Sequence, residues 1–365
     1  MGVSGIVLIA LVFGLISLLK SNGNSDEVAL NNKEEIIIES NSKLNIYKEE
    51  TPVEAKAKSF KISFLGELMM GGDIGEKLGY NYKSAFKEIS ENTKSADYTV
   101  VNMGTNIIDL KKITNSKSEY IVTKNILSAF NALGVDAVNI ANDHIMDFDR
   151  SVLKDTKSYI NEEYDLIGLK NTIIYAEHDG IKVAIIGVCN EVIGNESKFT
   201  NNGIMMYNLK TLKNMIKEAK KNVNTVVMLT HLGLENTYEI TDIMAWFYRQ
   251  LISYGADIVL GDHAMGIYPV EIYKGKPIIY SMGYLMNDTT YKEENETGIF
   301  SIYLNKDGYI EKLEIIPLYI VDSKKTVLYS DYSKEGSKKL IKTLVEELNK
   351  KVYTVSDNKI TVNIK

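Results

Sequence analysis

Five apolar runs in this chain each end in residues able to hold a ligand, and that repeated layout limits the fold more than any other feature. The first closes with Phe64-Leu65-Gly66-Glu67 and runs on to Gly71-Gly72-Asp73. The second is Val100-Val101-Asn102-Met103-Gly104, and the third is Asn139-Ile140-Ala141-Asn142-Asp143-His144. The fourth is Met228-Leu229-Thr230-His231 with Glu235 just beyond, and the fifth, residues 256–260, is broken by Gly261-Asp262-His263. Short apolar runs bounded by turn residues are buried strands. Polar residues just past the carboxyl end of such strands are where α/β proteins usually place their chemistry.

Between these runs the period changes to that of helices. Residues 124–133 carry Ile126, Leu127, Phe130 and Leu133 on one face and are closed by Gly134. Helices are also predicted over 147–159, 209–221 and 240–254, the last with Ile243, Phe247 and Leu251 sharing a face and Gly255 ending it. Further strands are predicted over 98–102, 137–140, 182–188 and 225–229. Residues 255–288 read as three buried strands joined by polar turns, and hairpins follow over 298–304 and 309–317 with the turn Asn305-Lys306-Asp307-Gly308. A last helix over 338–351 precedes a strand pair around Asp357-Asn358. Alternating β and α elements followed by hairpins predict a sheet-rich α/β domain with helices outside.

Residues 3–19 form an uncharged apolar run of 17 that ends at Lys20. That is just long enough to span a bilayer as a helix. No small-residue cleavage signal follows it, so residues 1–20 are expected to be an uncleaved membrane anchor. Residues 21–58, rich in Asn, Ser, Glu and Lys, read as a polar linker before the domain opens at Phe60. A net charge of -6 offers no basic footprint, which argues against nucleic acid as a partner. The single cysteine, Cys189, excludes an intrachain disulfide framework and reads as a buried core thiol.

Three of the four histidines, His144, His231 and His263, stand at strand ends beside Glu67, Asp143 and Asp262. The fourth, His178, falls in a polar turn and is expected to be solvated. Imidazole with carboxylate suits Zn, Mn or Fe, and two such ions about 3.5–4 Å apart can clamp a phosphoryl group. Spacing alone leaves open both a metal or hydrolase site and a structural role for these residues.

At these residues the chain resembles the CapA-like capsule synthesis (poly-γ-glutamate biosynthesis) family, a branch of the calcineurin-like metallophosphoesterase superfamily. The resemblance runs over residues 59–322 and rests on ordered blocks at 64–72, 97–107, 134–147, 226–235 and 255–288. It implies a metallophosphoesterase-like four-layer α/β/β/α sandwich for residues 59–322, with 323–365 packed on it as a C-terminal helix and strand extension. It also implies an anchored protein facing the outside of a bacterial cell. The departures fall on ligand positions: Glu67 stands where the family has Asp, Gly104 where it has Glu, and Asp143 where it has Asn. In the last block Asp262 and Met265 replace two histidines, and only His263 is kept. The resemblance with these departures leaves three readings: no catalytic metal, a rewired one-metal site of Glu67, Asp143, His231 and His263 holding Mn, Zn or Fe, or a fully active two-metal phosphoesterase. His144 would then be the general acid. Two functions follow: an accessory of capsule or polymer synthesis or export, working with membrane proteins and an anionic polymer, or a metal-dependent phosphoesterase or polymer hydrolase.

Overall fold

A computed structural model of the chain describes residues 58–109, 120–148, 150–190, 203–233, 239–264, 266–288 and 293–364, with two short strands nearer the N-terminus. The chain divides into two units, Met1–Lys56 and Ala57–Lys365. The described part of the first is a pair of antiparallel strands, β1 (Leu30–Asn31) and β2 (Glu35–Ile36). Residues 3–19, read as an anchor, lie outside the described residues. Among those described, no helix is long and apolar enough to cross a membrane.

The second unit runs through β3 (Phe60–Leu68), β4 (Tyr98–Met103), β5 (Asn106–Ile107), β6 (Ile121–Val122), β7 (Ala137–Asn139) and β8 (Asp165–Ile167). There follow β9 (Ile174–His178), β10 (Ile181–Cys189), β11 (Thr225–His231), β12 (Ile258–Asp262), β13 (Val270–Tyr273), β14 (Lys276–Ile279) and β15 (Tyr284–Met286). The hairpin β16 (Glu296–Leu304) and β17 (Ile310–Val321), then β18 (Lys325–Leu328), β19 (Tyr353–Ser356) and β20 (Lys359–Asn363), complete the strands. The longer helices are α1 (Leu127–Leu133), α2 (Arg150–Asn161), α3 (Leu209–Ala219), α4 (Asp242–Tyr254) and α5 (Lys334–Val345).

One sheet has the order β13-β14-β12-β11-β10-β9, and its central members β10, β11, β12 and β14 are parallel. The other has the order β19-β20-β17-β16-β3-β4-β7-β8, with β15 added on β3 and β18 on β17. Three apolar cores separate four layers. Phe60, Ile62 and Phe64 of β3 meet Val227, Leu229, Ile258 and Leu260 between the sheets. Val101 and Val138 on the outer face of the larger sheet pack under Phe130 and Leu133 of α1 and Leu153 of α2. Ile186, Met228 and Val259 on the outer face of the smaller sheet pack under Leu212 and Ile216 of α3 and Tyr248 and Leu251 of α4. This is the α/β/β/α sandwich expected from the sequence, and the alternation of side chains along each strand produces it. Cys189 is buried, as expected for a core thiol.

Two expectations need correction. Residues 255–288 hold four strands rather than three, and the last, β15, belongs to the other sheet. The chain leaves β14 and crosses through residues 280–283, where Met282 donates its N–H to Gly261 O and the Thr297 hydroxyl donates to Met282 O. Gly283 O then accepts from the Glu67 N–H at 3.0 Å. A Cβ on Gly66 would sit 2.0 Å from that same carbonyl oxygen, so only glycine allows the approach. The buried face of α4 is also rotated from the one read in the sequence. Met244, Ala245, Tyr248, Leu251 and Ile252 face the sheet, while Ile243 is 69% exposed. Residues 243–247 are all apolar, so periodicity there does not select a face.

Candidate metal centre

Strand parity carries the inter-sheet core into a polar cluster. On β11 the inward positions are Val227, Leu229 and then His231, and on β12 they are Ile258, Leu260 and then Asp262. In the opposite sheet Val100 leads to Asn102 on β4, and Ala137 leads to Asn139 on β7. Thus the stripes that are apolar along each strand turn polar together at the carboxyl ends.

Glu67 joins them through a bulge. The pairing of β3 with β4 shifts between Leu65 and Glu67, so that Glu67 rather than Gly66 lies opposite Asn102. One extra residue moves a side chain to the other face. Without the bulge Glu67 would point to the helix layer. His263 follows β12 with φ of 82°, a left-handed conformation unusual for a residue with a Cβ. Asp143 and His144 sit in the loop after β7. Asn142 donates from Nδ2 to Met103 O at 2.7 Å, and Asn106 donates from Nδ2 to His144 O at 2.9 Å.

The four residues expected as metal ligands fall into two overlapping groups. One ligand atom each from Asp143, His231 and His263 lie within 4.8 Å of one another, and so do atoms from Glu67, His231 and Asp262. His231 belongs to both groups. Its Nε2 is 2.8 Å from Asp143 Oδ1, while His263 Nδ1 is 3.7 Å and His144 Nε2 is 3.5 Å from Asp143 Oδ2. Glu67, Asp143 and Asp262 are buried, at 4%, 1% and 2% exposure, a depth at which unpaired carboxylates are costly.

Asp262, absent from the expected ligand set, is therefore a full member of the cluster. A relay across the sheets holds it. Asn139 Nδ2 donates to Asn102 Oδ1 at 2.9 Å, and Asn102 Nδ2 donates to Asp262 Oδ2 at 2.6 Å. The signal for Asp262 in the sequence is its inward parity with Ile258 and Leu260. Glu235 and Met265 lie outside the described residues.

The charges are unevenly balanced. Burial opposes a charged His231, but Glu67, the bond to Asp143 and the charge of Asp262 outweigh it and hold its pKa at about 9. Burial would raise Asp143, but the bond to His231 and the three imidazoles hold it well below the carboxylate range. Burial drives Glu67 up despite His231, with Asp143 adding to the rise. Burial and then Glu67 drive Asp262 well above its ordinary value. Burial and His231 lower His263 to about 4.

These residues fit a divalent cation. Two imidazoles and three carboxylates form a mixed N/O set suited to Zn, Mn or Fe. Asp143 Oδ2 is buried and has no hydrogen-bond partner among the described residues, although it faces His144 and His263. Burial opposes the charged forms of Glu67 and Asp262, and a cation between them would favour those forms. His144 lies beside the cluster, with Nδ1 2.8 Å from Asp147 Oδ2 and its ring stacked on Tyr120 at 3.8 Å. Burial opposes its charged form, yet Asp147 and Asp143 raise its pKa. A shallow depression lined by Asp143, Asn190, His231, Leu232, Gly233 and His263 opens onto the site.

A family model described as bacterial capsule synthesis protein PGA_cap matches residues 61–289. The chain is 26% identical over 340 residues to the PGA biosynthesis protein CapA of Bacillus subtilis, covering 87% of this chain and 86% of that protein. It is 24% identical over 326 residues to the capsule biosynthesis protein CapA of Bacillus anthracis, covering 83% and 77%. Among solved structures, the NAD nucleotidase of Haemophilus influenzae superposes with a TM-score of 0.40 at 14% identity, over 79% of this chain and 57% of that one.

Proposed function

The chain belongs to the bacterial capsule synthesis PGA_cap family, and from that premise we propose that it is a membrane-anchored, extracytoplasmic accessory protein of capsule or poly-γ-glutamate synthesis or export. The observation that carries this reading is the similarity to a PGA biosynthesis protein over 87% of the chain. The uncharged run at residues 3–19 supports the anchor, and its partners are then membrane proteins of polymer assembly and the anionic polymer itself. Deletion of the gene, with capsule measured in the deletant and in the complemented strain, tests the role. Unchanged capsule sinks it. Protease added to intact cells tests the location, and a fully protected domain contradicts an outside placement.

The buried cluster favours a second reading, a metal-dependent hydrolase of a phosphoester or of the polymer. Glu67, Asp143, His231, Asp262 and His263 would hold the cation. When bound, such an ion supplies Lewis acidity toward a phosphoryl or carbonyl oxygen. Asp147 fixes His144 by its Nδ1, which leaves Nε2 to carry a proton toward a leaving group. Asp143 and the Asn102–Asn139 relay orient His231 and Asp262. Metal content of the purified full chain, with turnover of a generic phosphodiester in added Mn²⁺, decides between the readings. Stoichiometric metal and turnover that vanishes in His231→Ala favour the hydrolase, and neither property leaves the accessory role alone.

A further inference from the structure

We infer that Gly104 and Glu67 act as one positioning unit, in which the bare backbone at 104 lets β3 deliver a carboxylate across the end of β4 to His231 and Asp262. The inference rests on the metal-holding reading of the cluster and names the residue that controls it. A Cβ on Gly104 would stand 2.3 Å from Glu67 Oε1, 2.9 Å from its Cδ and 2.3 Å from Met69 Sδ. The space above Gly104 is therefore filled by the end of the Glu67 side chain, with Met69 beside it. Glu67 cannot retreat as a whole. Its N–H is bound to Gly283 O at 3.0 Å, and the bulge sets its register against Asn102. Only its side-chain torsions can respond to a neighbour.

The three nearest atoms in the collision all belong to the ends of side chains. A methyl group at 104 thus leaves the sheet intact and turns the carboxylate away from the cluster. The length of the side chain matters for the same reason. Glutamate reaches over the β4 end, whereas an aspartate at 67 is one methylene shorter and ends short of the place that Glu67 Oε1 occupies. Gly104 supplies no ligand atom, yet it fixes where one of the carboxylates stands. Residues that hold a ligand in place typically change metal affinity about 10–100-fold when altered.

The test uses the full-length chain and its variants Gly104→Ala, Glu67→Ala, Glu67→Asp and the two double variants with Gly104→Ala. Mn²⁺ alone is titrated calorimetrically into each, and thermal unfolding is followed without metal. Gly104→Ala is expected to weaken Mn²⁺ binding about tenfold or more with an unfolding transition close to that of the unaltered chain. Adding Gly104→Ala to Glu67→Ala or to Glu67→Asp is expected to change affinity no further. Additive losses in either double variant, or a Gly104→Ala protein with undiminished affinity, overturn the inference. If the unaltered chain binds no Mn²⁺, the metal reading fails separately. The crystal structure of Gly104→Ala then decides the positioning claim: a carboxylate swung away from His231 and Asp262 upholds it, and one left in place overturns it.

Discussion

His231 Nε2 lies 2.8 Å from Asp143 Oδ1 and joins the end of β11 in one sheet to the loop after β7 in the other. Both side chains are buried, at 4% and 2% exposure. The pair is a polar weld between the sheets as well as the centre of the ligand cluster. Removing one partner strands the other, which typically costs about 3–5 kcal/mol for a buried pair. His231→Ala is expected to lower unfolding stability by about 3 kcal/mol in urea titration, whereas Asp143→Asn, which keeps an oxygen toward His231, costs less. Equal losses would show that packing rather than pairing is being measured.

The metal-free protein is expected to lose stability as pH rises above 6.5. The pKa of His231 is raised from 6.5 to about 9, so its contribution is fully present below pH 6.5 and is lost as pH rises through 9. That of His263 is lowered from 6.5 to about 4, so its contribution is present above pH 6.5 and is lost as pH falls through 4. The raised Glu67, Asp262 and His144 act in the same direction as His231, so urea midpoints measured in chelator are expected to fall between pH 6.5 and pH 9. Stability that climbs steadily from pH 6.5 to pH 9 contradicts the assignment of His231.

The backbone at His263 stores strain. At φ of 82° a Cβ costs about 1 kcal/mol or more, which glycine escapes. His263→Gly is therefore expected to be about 1 kcal/mol more stable than His263→Ala in chemical denaturation. Both variants lose the imidazole equally, and both are expected to bind Mn²⁺ more weakly than the unaltered chain.

The crossing of β15 onto β3 depends on Gly66. Alanine there would push a methyl group to 2.0 Å from Gly283 O, a backbone atom that has no torsion by which to withdraw. Gly66→Ala is expected to lower stability by about 3 kcal/mol, at the upper end of overpacking. Hydrogen exchange is expected to show the amide of Glu67, bonded to that carbonyl, losing protection first. An unchanged exchange rate at Glu67 argues against the crossing.

Much of this architecture is legible in the sequence because each layer writes its own period. Phe60, Ile62 and Phe64 alternate as a half-buried strand does, and Gly134 and Gly255 end their helices in left-handed conformations. Asp143 and His263 gather at His231, and Glu67 reaches the same imidazole together with Asp262, with His144 alongside. The remainder depends on relations between distant segments. No local pattern announces that the pairing of β3 slips by one residue and brings Glu67 inward. Gly104 reads in isolation as a lost carboxylate, and only the packing shows Glu67 occupying its space. Asp262 is tied down by Asn102 and Asn139, residues whose role exists only once the two sheets face each other. Ile243 is exposed, and residues 243–247 are all apolar, a run whose periodicity selects no face.

The pairing of β3 also fixes the order in which the molecule can be made. This strand is the first of the larger sheet, yet Phe60 pairs with Leu304 and Glu67 with Tyr284. As the chain leaves the ribosome, one edge of β3 finds β4 early. The other stays open until more than two thirds of the chain has been synthesised. An unpaired edge of Phe, Ile and Leu is a template for aggregation, so nascent chains of this protein are expected to need shielding until β16 is made. A transcript cut short before β16 yields a product with every histidine present and with Phe60–Leu65 of β3 lacking their antiparallel partner.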